Sequence, residues 1–292
     1  MTVLVTGATG TIGSEVVRGL RGRGVPVRAL VRDAERARNR FGAEVELAQG
    51  DFATPEDLDR AVRGVDQVFL SSPNHPDQAR WEITAVNAAV AAGVDRIVKL
   101  SACGAEVGSA LAFWDAHGRI EAHLDAAPVT SVVLRPTFFM SGILAAADSV
   151  RGAGAMFLPA AGAKVAMVDP SDVADVAVAV LADGSRHDGR CYELTGPEAV
   201  TFDDVAGALS DVIGRTIGFV AVPDEGARQQ LVENGLPEWF AANLVTLFGK
   251  LRDGAAAHVT DDVHAVAGRP PGSVIDYLRR HTAVFAGETK IQ

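Results

Sequence analysis

The chain has 292 residues, of which 48% are apolar, and carries 27 basic against 37 acidic side chains for a net charge of −10. That length and apolar content suffice to bury a full core, and a negative surface repels phosphate backbones, so nucleic acid is not expected as a partner. Two cysteines, Cys103 and Cys191, make no disulfide framework, no Cys/His spacing resembles a metal site, and no uncharged run exceeds the 14 residues Met1–Ser14, so neither metal nor membrane is expected.

The start lacks the basic segment of a signal peptide, and the expectation is a cytoplasmic protein, monomer or homodimer. Short β-branched runs predict strands at Val3–Thr6, Val27–Val31, Val45–Ala48, Val65–Leu70, Arg96–Leu100 and Ser131–Leu134. Amphipathic runs between them predict helices near Ile12–Arg23, Ala34–Phe41, Pro55–Arg63, Ala79–Ala92 and Phe113–Ala126. Alternation at this spacing implies parallel strands with right-handed crossovers, and strands apolar on both faces imply helices on both sides. The expected fold class is α/β, a Rossmann-like doubly wound parallel sheet over residues 1–150. Gly152–Gly162 is rich in Gly, Ala and Pro and reads as an exposed loop. Beyond it, helices near Asp172–Ala182, Phe202–Gly214 and Pro237–Leu251 surround short strands near Tyr192–Thr195 and Gly218–Val222. Residues 151–292 are therefore expected to form mainly a smaller α/β substrate lobe, with some segments returning to the first domain.

The run Gly7-Ala-Thr9-Gly10-Thr11-Ile12-Gly13 follows the first strand and opens the first helix. Gly7 allows the tight turn, Gly10 lets backbone approach a pyrophosphate, and Gly13 lets the helix sit close to the sheet. The helix N-terminus then offers N–H groups and the positive end of its dipole to phosphates.

The spacing G-x-x-G-x-x-G resembles the extended and atypical short-chain dehydrogenase/reductases, and the wider pattern resembles their NmrA-like branch. That wider pattern is Val31-Arg32, Gly50-Asp51, Leu134-Arg-Pro136-Thr137-Phe138-Phe139-Met140, Asp172-Val-Ala-Asp-Val and Tyr192-Glu-Leu-Thr-Gly-Pro197. The resemblance implies a nicotinamide cofactor. It also implies contact with the adenine at Asp51 and Phe52. Ser71, Ser72 and Pro73 end the fourth strand and would pass beside a cofactor ribose, and a turn-forming role is equally open for each of these positions. Beyond the sixth strand, Pro136 and the run Thr137-Phe138-Phe139-Met140 should border the nicotinamide, since ligands in such sheets bind past the strand ends.

NAD-binding domains usually end the second strand with a carboxylate for the ribose 2′-OH. Here the strand ends in Arg32, with Arg36 and Arg38 following. A guanidinium at this place pairs with a 2′-phosphate, which favours NADP(H) over NAD(H). Asp33 stands next to it and can pair with Arg32 or reach the ribose.

Most short-chain reductases carry Tyr-x-x-x-Lys on the helix after the fifth strand. The two tyrosines here, Tyr192 and Tyr277, are followed four residues later by Gly196 and His281. In the matching stretch, Phe113 stands at the tyrosine position and His117 at the lysine position. Phe113, His117 and Glu121 share one helix face. His117 can bond the nicotinamide ribose or relay a proton, Glu121 can orient it, and Ser101 is a further candidate near the substrate oxygen.

Trp114, Phe138, Phe139, Met156, Phe157 and Trp239 with Phe240 are the candidate substrate walls, Met156 and Phe157 through the Gly152–Gly162 loop acting as a lid. A flat aromatic substrate such as a quinone or a polyketide-like ring suits them. The resemblance implies the same, since NmrA-like reductases include quinone and azo-dye reductases. The expected function is an NADPH-dependent reductase. The alternatives are an NADP(H)-sensing regulator that binds a partner protein, and a non-redox lyase or cyclase.

Overall fold

A computed structural model describes residues 1–286. In chain order the first half is β1 (Val3–Val5), α1 (Thr11–Gly22), β2 (Val27–Val31), α2 (Ala34–Phe41), β3 (Glu46–Gln49), α3 (Pro55–Ala61), β4 (Gln67–Leu70), α4 (Gln78–Ala91), β5 (Arg96–Leu100), α5 (Ala112–Ala126) and β6 (Thr130–Pro136). There follow α6 (Ala147–Ala153), β7 (Ala155–Leu158), β8 (Lys164–Val165), α7 (Pro170–Ala182), β9 (Cys191–Leu194), β10 (Val200–Thr201), α8 (Phe202–Ile213) and β11 (Gly218–Ala221). The last helices are α9 (Asp224–Glu233), α10 (Glu238–Arg252), α11 (Asp262–Ala267), α12 (Val274–Arg280) and α13 (Thr282–Ala286).

The chain divides into two compact units. The first holds Met1–Pro136, Ser171–Glu193 and Ala265–Gly268; the second holds Thr137–Pro170, Leu194–His264 and, of the described residues, 269–286. The main switch from one unit to the other thus falls between Pro136 and Thr137.

The first unit is built on a seven-stranded sheet of order β3-β2-β1-β4-β5-β6-β9. The pairings among β1 to β6 are all parallel. The cause is visible in the strands: every residue of Val3–Val5 and Gln67–Leu70 is buried, as a sheet covered on both faces requires. The order reverses between β1 and β4. In open α/β sheets the crevice beyond the strand ends at such a point is where ligands bind.

The second unit has its own core around Met140, Met156, Phe202, Phe248 and Phe285. Its small sheets pair β7 with β11 in parallel and β8 with β10 antiparallel. Helix α8 starts at a capping box in which Thr201 and Asp204 bond each other's backbone N–H groups.

The expected Gly152–Gly162 loop is corrected here. Its centre is strand β7, paired residue by residue from Ala155↔Gly218 to Leu158↔Ala221. Glycines at its margins hid a strand whose partner lies some sixty residues away. No helix among the described residues is long and apolar enough to cross a membrane.

Candidate cofactor and active site

The exits of β1 and β4 are stitched together by Thr6. Its hydroxyl lies 3.0 and 2.9 Å from the Phe69 and Ser71 carbonyl oxygens and accepts the Ser71 N–H at 2.8 Å. Gly7 follows with φ +58°, the left-handed region where a side chain is strained, and a Cβ there would meet the Ser71 carbonyl at 2.9 Å. At Gly13 a Cβ would lie 2.2 Å from the Gly7 carbonyl oxygen, so the first turn of α1 rests directly on the loop. Gly10 has an ordinary φ of −77° and caps α1, and no side chain closes the helix end. A Cβ on it would approach the Gly7 oxygen to 3.2 Å. Thr9, Gly10 and Thr11 form the exposed crest, whereas Ile12 and Gly13 are buried beneath it. An exposed crest at a helix N-terminus whose cap residue carries no side chain fits a pyrophosphate.

Arg32, just past β2, is exposed, and its guanidinium has no partner among the described residues. Asp33 does not pair with it. The Asp33 carboxylate caps α2 by accepting the Arg36 N–H at 2.9 Å. Arg38 is turned away, bonding the carbonyls of Gly42, Ala43 and Val45 at the end of α2. Arg40, which the sequence reading missed, reaches back to the glycine crest and donates to the Thr9 carbonyl at 3.0 Å and the Ser14 hydroxyl at 2.8 Å. Its signal was its place one helical turn beyond Arg36, on the same face.

Asp51 is a turn residue, with its carboxylate accepting the Ala53 N–H at 2.8 Å, and Phe52 packs half-buried against the first unit's core. Ser71 and Ser72 leave β4 half-buried and Pro73 is exposed. Ser72 donates to Glu82 at 2.7 Å.

Helix α5 buries Phe113, His117 and Glu121 on one face. The expected His117–Glu121 pairing is corrected. Glu121 accepts from the Ser101 hydroxyl and forms a two-pronged ion pair with Arg135, one bond of which measures 3.1 Å. Ser101 therefore directs its proton to Glu121 and presents an acceptor to anything else. The Nδ1 of His117 is buried without a hydrogen-bond partner among the described residues. Burial, and then the Lys99 ammonium, hold its imidazole well below the usual histidine range. It is neutral near pH 7, which leaves hydrogen bonding and removes the role of a charged acid. Trp114 is half-buried with its indole against Gly104, where a Cβ would meet it at 2.7 Å.

Neither tyrosine is poised as a proton donor. The Tyr192 hydroxyl lies 2.8 Å from His187 Nδ1, and burial pushes Tyr277 up to about 12. Burial likewise pushes the Cys103 thiol up to about 11, which makes it a poor nucleophile.

In the second unit, Thr137 donates to the Ala166 carbonyl at 2.6 Å. Phe138 is half-buried and packs on Phe202 and Phe248 with ring centres 6.2 and 6.0 Å away. Phe139 bridges Val168, and Trp239 and Phe240 are half-buried on α10. Met156 is a correction. It is fully buried in this unit's core, because β7 turns it inward, and it lines no lid. Phe157, its outward neighbour, is 45% exposed.

The sequence pattern of the NmrA-like family matches residues 1–267, and the chain belongs to that family. It is 40% identical over 289 residues to the (4-alkanoyl-5-oxo-2,5-dihydrofuran-3-yl)methyl phosphate reductase of Streptomyces griseus, covering 98% of this chain and 100% of that one. It is 36% identical over 283 residues to the NAD(P)H azoreductase of Xenophilus azovorans, covering 97% and 99%. Among solved structures it resembles an NADPH-dependent quinone oxidoreductase of Escherichia coli in complex with NADPH. There the TM-score is 0.88 at 26% identity, over 96% of this chain and 99% of that one.

Proposed function

We propose that the protein is an NADPH-dependent reductase of a small aromatic or quinone-like acceptor, polyketide-type rings included. The observation that carries the choice of cofactor is Arg32, an exposed guanidinium with no partner among the described residues at the end of β2, beside an aspartate already engaged as a helix cap. The glycine crest holds the pyrophosphate, and Arg32 pairs with the 2′-phosphate, which NADH lacks. Arg40 braces the crest from outside. His117, neutral and short of a partner, bonds the nicotinamide ribose. The reductase names of the relatives support the class of reaction.

The bound cofactor supplies a hydride. A quinone gains that hydride and one proton to become the hydroquinone. An activated acceptor takes its proton from water, which suits a site with Phe113 where related reductases carry a tyrosine. Ser101, its own proton turned to Glu121, accepts a hydrogen bond from a hydroxyl or N–H of the ligand. The test is NADPH oxidation over a panel of quinones, azo dyes and aromatic ketones. Turnover of any of them supports the proposal, and tight NADPH binding without turnover of any contradicts it.

A further inference from the structure

Strand β5 runs Arg96-Ile-Val-Lys99-Leu100, and the lysine in this apolar run is fully buried. Helix α4 carries Glu82, also fully buried, and the two side chains meet at 2.8 Å. Withdrawing two charges from water is expensive, and an apolar pair of the same volume often serves a core as well or better. Core packing therefore supplies no reason for this pair.

Its other contacts do. The Glu82 carboxylate accepts from the Ser72 hydroxyl at 2.7 Å and from the Gln78 amide at 3.4 Å, and Lys99 also donates to the Leu100 carbonyl. Ser72 lies at the exit of β4, on the crevice where the strand order reverses. The pair thus ties α4 and β5 to the rim of the cofactor site. We propose that Lys99 and Glu82 are a positioning pair, which fixes the β4 exit through Ser72. This rests on the reading of the β4 exit as the rim of the NADPH site.

Two double variants test the proposal. Either single removal would leave a buried unpaired charge and endanger the fold. Lys99→Met with Glu82→Gln removes both charges and keeps a carbonyl for Ser72. Lys99→Met with Glu82→Leu removes the charges and the Ser72 anchor. The readout is NADPH affinity by calorimetry, with a melting curve to show that each variant is folded. NADPH should bind the Met/Gln protein as tightly as the native one and the Met/Leu protein about tenfold more weakly. Equal NADPH affinity in the two folded double variants overturns the proposal. The reading of the site fails separately, if the native protein binds no NADPH.

Discussion

Gly13 and Gly7 face each other so closely that a Cβ on the first would sit 2.2 Å from the carbonyl oxygen of the second. The obstacle is backbone, with no flexible end to move aside. The start of α1 can rest on the loop only because position 13 has no side chain, and the open crest above it follows from that contact.

Gly13→Ala should therefore act on stability as well as binding. The loop and the first turn of α1 must separate, and we expect a drop in melting temperature together with loss of NADPH binding. Gly10→Val should behave differently. Its backbone lies in an ordinary region, so thermal denaturation should find a folded protein, whereas calorimetry should detect no cofactor binding. Native affinity in a folded Gly10→Val protein would mean that the loop is only a turn.

Arg32→Ala should narrow the preference for NADPH over NADH. A charge-assisted bond of this kind contributes about 1.5–3 kcal/mol, or roughly ten- to a hundredfold in affinity. Asp33→Ala should leave that preference in place and lower stability by about 1 kcal/mol, because it removes the cap of α2. Parallel titrations with both cofactors and a melting curve distinguish the two.

His117 gives the protein a pH signature. Its pKa is lower folded than unfolded, so between the two values the unfolded chain binds a proton that the folded one refuses. This contribution to stability is fully present above the unfolded value of about 6.5, and falls as pH drops through it. Urea midpoints of His117→Gln should depend less steeply on pH than native midpoints between pH 7 and 5. Identical slopes would show that the imidazole titrates normally in the folded protein.

His117→Ala should weaken NADPH binding more than it lowers kcat at saturation, as expected of a ribose contact. A loss of kcat by about 10²–10⁴-fold with native NADPH affinity would instead mark a general acid.

The first half of the chain was legible because its physics is local. Val27–Val31, Ala34–Phe41 and Arg96–Leu100 occur as expected, since β-branched runs and amphipathic periods need no distant partner to be recognised. Strand Ala155–Leu158 was not legible, because its pairing with Gly218–Ala221 is remote and its flanks are rich in Gly and Ala. The same strand buried Met156, which a loop would have exposed. Lys99 and Glu82 were missed because a lysine in an apolar strand and a glutamate in an amphipathic helix each read as solvated. Only the fold shows that both side chains point inward and meet. Asp33 was ambiguous as a letter beside Arg32, and its bond to the Arg36 N–H resolves it.

Transfer of reducing equivalents from NADPH to an aromatic acceptor is read as loss of the reduced nicotinamide absorbance when the protein and NADPH meet a quinone, run beside NADH and beside Arg32→Ala. Turnover is expected with NADPH, with much slower turnover with NADH at the same subsaturating concentration, and with convergence of the two rates in Arg32→Ala. Equal rates with both cofactors in the native protein, or no oxidation of tightly bound NADPH by any acceptor, would contradict this expectation.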